Sequence, residues 1–156
     1  MIHPIAIIAL ALCIYAAATD VKRLEIDNWV SLAVAALFVV YGLLEPVQWV
    51  SHIVVMLVML LLGFVLNRAG VMGGGDVKLL TALSLWAGLS GLPTMLMATS
   101  LAGAVVAVAT LSMRNISFTA PTGLAWIDGA REERPHVAYG IAIAVGAAAM
   151  LSQIGQ

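Results

Sequence analysis

Apolar runs of bilayer length, with every basic residue confined to alternate gaps between them, leave this chain few possible folds. An apolar helix needs about 20 residues to cross a membrane, with a range of roughly 17–25. The sequence predicts six such spans, at about 2–19, 29–44, 47–66, 77–92, 92–113 and 136–154. Between the fourth and fifth, the turn-forming cluster Gly88-Leu89-Ser90-Gly91-Leu92-Pro93 marks the boundary. Lys22 and Arg23 fall between the first two spans, Arg68 and Lys78 flank the gap between the third and fourth, and Arg114, Arg131 and Arg134 lie between the last two. The termini, the Glu45-Pro46 turn and the Gly88–Pro93 turn carry none of the seven. Basic loops stay in the cytoplasm, which places both termini outside it. The fold class expected is therefore an all-α integral membrane protein, one domain over 1–156, with the lipid bilayer as its solvent.

Composition agrees. The chain is 63% hydrophobic and 10% charged, against about 25% charged for a soluble domain. A net charge of −1 offers no basic surface for nucleic acid. The single Cys13 excludes an intrachain disulfide and a CxxC zinc site, and its place in an apolar run reads as core. Ala16-Ala17-Ala18 resembles a signal cleavage site, but the positive charges follow the apolar run instead of preceding it. The hydrophilic stretch Arg114–Pro135 reads either as a solvated connector or as a segment whose Leu124, Ala125, Trp126 and Ile127 lie on the membrane surface.

Ionisable groups near hydrocarbon are costly and mark function. Asp20 ends the first apolar run and Asp76 opens the fourth, at one depth in the membrane. Two carboxylates held close titrate as a unit and share a proton. That arrangement suits aspartyl protease chemistry: the ionised partner takes a proton from water and the protonated one donates to the scissile carbonyl. Gly73-Gly74-Gly75 before Asp76 lets backbone come close to a bound peptide. The plainer alternatives are that Asp76 is a helix N-cap and that Asp20 pairs with Lys22 and Arg23 at the lipid boundary.

Other chemistries fit less well. The glycine run lacks the Lys-Ser/Thr of a phosphate loop, and there is no HExxH. Gly88-Leu89-Ser90-Gly91 resembles a rhomboid motif, but its Ser90 would lie a full hydrocarbon thickness, roughly 30 Å, from His136, whereas nucleophile and base need about 3 Å. His3 and His52 read as interface residues near the outer face. A carrier would place its ionisable groups near the midplane and often shows repeats; neither is visible here. A non-catalytic membrane scaffold or small carrier is the alternative class.

Taken in order, Asp20 with the following Leu24-Glu25-Ile26-Asp27-Asn28, then Gly73-Gly74-Gly75-Asp76-Val77-Lys78-Leu79, then Ala138-Tyr139-Gly140 resemble the motifs of prepilin peptidases. These are GxGD aspartyl proteases of type IV pilus and secretion systems, and the likeness is to the small type of tight-adherence (Flp) pilus loci. Asp27 and Ala138 stand where the family usually has Pro. The resemblance implies Asp20 and Asp76 as the catalytic pair, with Gly73, Gly75, Lys78, Asn28, Tyr139 and Gly140 in support. Lys78 would bias the protonation of the pair or hold nearby carbonyls, and Asn28 would cap the second helix. It implies no cofactor and no metal. The substrate would be a prepilin or pseudopilin precursor, cut at the cytoplasmic face of the bacterial inner membrane. Glu25, Asp27, Glu132 and Glu133 would attract its basic leader. The Val21–Asn28 loop has no Cys and no room for the family's larger insert, so methyltransferase activity is not expected.

Overall fold

The computed structural model describes residues 3–113, 123–129 and 137–154. Among them the chain forms six helices and no strand: α1 Pro4–Arg23, α2 Asn28–Leu44, α3 Trp49–Arg68, α4 Gly74–Met113, α5 Ala125–Gly129 and α6 Tyr139–Leu151. Three stretches are long and apolar enough to cross a membrane, Pro4–Arg23, Trp49–Arg68 and Gly74–Ser112; α2 and α6 are shorter apolar helices.

Start and stop signals explain several ends. Pro4 sits in the first turn of α1, where its missing N–H is no loss, and His3 Nδ1 accepts from the Ile5 amide at 3.3 Å. The helix does not stop at Thr19. It runs to Arg23, and Leu24 ends it with φ 53°, its amide donating to the Asp20 carbonyl. Asp20 therefore lies in the last turn, not at the terminus. Asp27 occupies the N-cap position of α2 without a side-chain cap bond. The cap expected from Asn28 is thus corrected: Asn28 is the first helical residue.

The predicted boundary between spans four and five also moves. The helical path is broken at Gly88, with φ 54° and ψ −165°, a region only glycine enters cheaply. The chain changes direction there, four residues before Leu92. Pro93 falls inside the second arm, five residues past the break.

Contacts between helices define two ends. At one, Lys78 meets Asn28, Gly140 meets Asp20, and Gly75 abuts Ile26. At the other, His3 meets Glu45, Gly88 lies on the His52 ring, and Gly91 lies on Met150. The chain runs between these ends six times: α1, α2, α3, each arm of α4, and α6.

The first arm of α4 is the centre of the bundle. Leu79, Leu80, Ala82, Leu83, Leu85, Trp86 and Ala87 are all buried, so apolar residues cover nearly its whole circumference, as a central helix requires. Trp86 Nε1 donates to the Val34 carbonyl at 2.9 Å, tying this arm to α2. At the far end the rings of Phe38, Tyr41, Trp49, His52 and Trp86 pack together, with centroids 5.0–5.8 Å apart in four of the pairs. His52 Nδ1 bonds the Leu85 carbonyl, so this histidine braces α3 against α4. α1 buries Ala6, Ala9, Cys13 and Ala16 without exposure. These follow the 3,4 spacing of one helical face, and Asp20 is the next position on it.

α5 packs on α1, with weaker contact to α4. Trp126 Nε1 donates to Thr110 Oγ1 at 2.8 Å. The Trp126 segment thus docks on the helices instead of trailing as a solvated connector. Arg114, Arg131, Glu132, Glu133, Arg134 and His136 lie outside the described residues.

Candidate active site

Asp20 and Asp76 are 6% and 8% exposed and line one cavity of about 390 Å³. The two carboxylates are close enough to interact electrostatically. The cavity walls are two lengths of non-helical or helix-start backbone. One is Leu24 to Asn28, between α1 and α2; the other is Gly73 to Gly75, leading into α4.

Each aspartate reaches the cavity for a local reason. α4 begins at Gly74, which makes Gly73 the cap and Asp76 the third helical residue. An acid at that position can reach back toward the cap residue, as in one half of a capping box, and Asp76 Oδ2 lies against Gly73, 2.9 Å from where a Cβ would stand. Asp76 is therefore not itself the N-cap. Its Oδ1 is buried and bonds no group among the described residues. A buried polar atom left unpartnered costs about 1–3 kcal/mol, and such orphans concentrate where chemistry is done.

Asp20 is held from elsewhere. The Gly140 amide donates to Asp20 Oδ2 at 2.8 Å. Neither Lys22 nor Arg23 pairs with it; Arg23 instead pairs with Asp27 at 3.1 Å. That contact also occupies one of the acids expected to attract a basic leader.

The glycines are needed for closeness. A Cβ on Gly75 would lie 3.0 Å from Ile26 Cβ and 3.2 Å from the Ile26 carbonyl oxygen. A Cβ on Gly73 would lie 2.9 Å from Asp76 Oδ2. Gly74, between them, has nothing nearer than 3.8 Å.

Lys78 points away from the aspartates' hydrogen bonds. Its Nζ donates to Asn28 Oδ1 at 2.8 Å, bridging α4 to α2 at the cavity rim. The hydrogen-bond partner Lys78 has is thus a side chain of α2. Tyr139 stands one residue before Gly140 and packs toward Gly103; it does not line the cavity. Ile26 is a wall residue that sequence reasoning passed over. Its apolar side chain beside the Asn28 turn was the available signal. Ser90, the rhomboid-like serine, lines a separate cavity of about 780 Å³ at the opposite end.

No group of three or more His, Cys, Asp or Glu among the described residues is placed to hold a metal ion. A buried pair of carboxylates on a cavity, one of them held by a backbone amide, can activate water and protonate a carbonyl.

Comparison with known proteins gives one assignment. No curated protein and no solved structure matches the chain. A sequence model of the type IV leader peptidase family matches residues 7–108, a stretch that holds both aspartates and the three glycines. The apolar helices and this match together mark an integral membrane protease, and the chain belongs to the type IV leader peptidase family.

Proposed function

We propose that the protein is a membrane aspartyl endopeptidase that uses Asp20 and Asp76 to remove the short leader of prepilins or pseudopilins of the Flp type. The observation that carries this reading is the burial of two carboxylates, 56 positions apart in sequence, on one cavity. In this mechanism an extended precursor lies between Gly73–Gly75 and Leu24–Asn28. The ionised aspartate takes a proton from water, whose oxygen attacks the scissile carbonyl carbon. The protonated aspartate gives its proton to the carbonyl oxygen. Collapse of the tetrahedral intermediate breaks the C–N bond and hands a proton to the leaving amine.

The six passes are six membrane spans of one domain, with both termini outside the cytoplasm. Lys22, Arg23, Arg68 and Lys78 all belong to the end that holds the aspartates, while Glu45 lies at the other. The positive-inside rule puts the cavity at the cytoplasmic face of the bacterial inner membrane. A precursor whose basic leader stays in the cytoplasm presents its cleavage site there. The connector from Leu24 to Asp27 is too short for a methyltransferase insert, so the product leaves unmethylated. A scaffold or carrier would have no use for two carboxylates brought from distant parts of the chain onto one cavity.

The test is Asp20→Asn and Asp76→Asn, each expressed with the cognate precursor and followed by the shift in precursor mobility on a gel. Both variants accumulate precursor. Normal processing by either one removes the dyad from consideration.

A further inference from the structure

We infer that the first turn of α6 belongs to the catalytic apparatus, with the Gly140 amide as the positioning group that fixes the Asp20 carboxylate. This rests on the reading of Asp20 as catalytic.

The first amides of any helix lack an acceptor within it. α6 begins at Tyr139, and its N-cap position is Ala138, whose side chain cannot supply one. Asp20 supplies it from another helix, 120 residues earlier in the chain: Oδ2 accepts the buried Gly140 amide at 2.8 Å. Each group satisfies what the other would otherwise leave unpaired in an apolar interior. The N-terminal end of a helix also favours a negative charge beside it. With Oδ2 held, Oδ1 is the oxygen left for water.

The contact admits no side chain. A Cβ on residue 140 would stand 2.9 Å from both Asp20 Cβ and Asp20 Oδ2, and 3.2 Å from Cγ. Those atoms are not the far end of a flexible chain. They are the root and head of the shortest acidic side chain, so any residue but glycine pushes the carboxylate off its mark. Asp76 lies against Gly73 of its own helix start instead.

Gly146 provides the comparison. A Cβ there would crowd Thr99 Oγ1 and the Met95 carbonyl, so Gly146→Ala overpacks the same helix away from the dyad. The experiment measures kcat and KM for full-length wild type, Gly140→Ala, Gly146→Ala and Asp20→Asn with a purified precursor in liposomes. Misplacing a reacting group by about 1 Å costs on the order of 100-fold. Gly140→Ala should lose about that factor in kcat with KM changed less than about twofold, while Gly146→Ala loses thermal stability and keeps kcat within about threefold. Equal kcat losses in the two glycine variants would reduce the effect to packing and overturn the inference. Near-normal kcat in Gly140→Ala with an inactive Asp20→Asn would overturn it too, leaving the dyad intact. Normal cleavage by Asp20→Asn would instead sink the functional reading beneath it. Should Gly140→Ala not fold, amide exchange in protein labelled with 15N-glycine decides. The Gly140 amide should exchange at least about tenfold faster in Asp20→Ala than in wild type, and an unchanged rate overturns the proposal.

Discussion

Lys78 and Asn28 are joined across the rim of the aspartate cavity, Nζ to Oδ1 at 2.8 Å, by a hydrogen bond that links the start of the central helix to the start of α2. Both groups are exposed, so the link holds geometry more than it holds the fold. Lys78→Met and Asn28→Ala should each lower stability by less than about 1 kcal/mol and slow precursor cleavage several-fold. The double variant should do little more than either alone, because neighbours sharing one contact are not additive. Fully additive losses in cleavage rate would show that the two residues act separately.

Gly75 and Gly74 differ in what surrounds them. Overpacking costs about 1–3 kcal/mol. Gly75→Ala meets Ile26 backbone and side chain within 3.0–3.4 Å and should widen the cavity walls, with cleavage falling by about tenfold or more. Gly74→Ala, whose nearest neighbour is 3.8 Å away, should cleave normally. Precursor assays on the two variants at matched membrane content check the contrast.

The pH dependence follows from two carboxylates that interact. Catalysis needs one proton on the pair. Acid adds a second and removes the base; alkali takes the last and removes the acid. The rate should therefore be bell-shaped in pH, with limbs that belong to the pair and not to either residue. A profile that rises to a plateau and stays there would contradict proton sharing.

Sidedness can be read with thiol reagents. Cys13 is fully buried and should stay silent toward a maleimide in intact membranes. Glu25→Cys, on the connector at the aspartate end, should label only when the reagent reaches the cytoplasmic face. Glu45→Cys, at the opposite end, should label from outside. Labelling of both from the same side would break the six-span arrangement.

Much of the architecture was legible because hydrocarbon imposes it. Six apolar runs and the placing of Lys22, Arg23, Arg68 and Lys78 fixed which ends of the helices meet, and hence that Asp20 and Asp76 share an end. What could not be read were details set by tertiary contact. Within the turn cluster Gly88–Pro93 the break falls at the first residue, Gly88, which lies on the His52 ring, and nothing near His52 in sequence announces that choice. α3 starts at Trp49 instead of Val47, since apolar runs do not record where a helix begins. Lys78 was expected beside the carboxylates, yet the side chain it reaches lies 50 positions earlier. Gly73, rather than Asp76, occupies the cap because the glycine run supplies the turn and leaves the acid free to fold back.

The row of Ala6, Ala9, Cys13 and Ala16 on α1 works as a spacer gauge. With side chains that small, α1 settles close to α6, and the same helical face then delivers Asp20 to within 2.8 Å of the Gly140 amide. The placing of Asp20 against Gly140 is thus set in part by small side chains buried along the same face of α1. A bulkier residue at position 9, where Ala9 is fully buried, would push α1 outward and lengthen the reach from Asp20 to the Gly140 amide without touching either group.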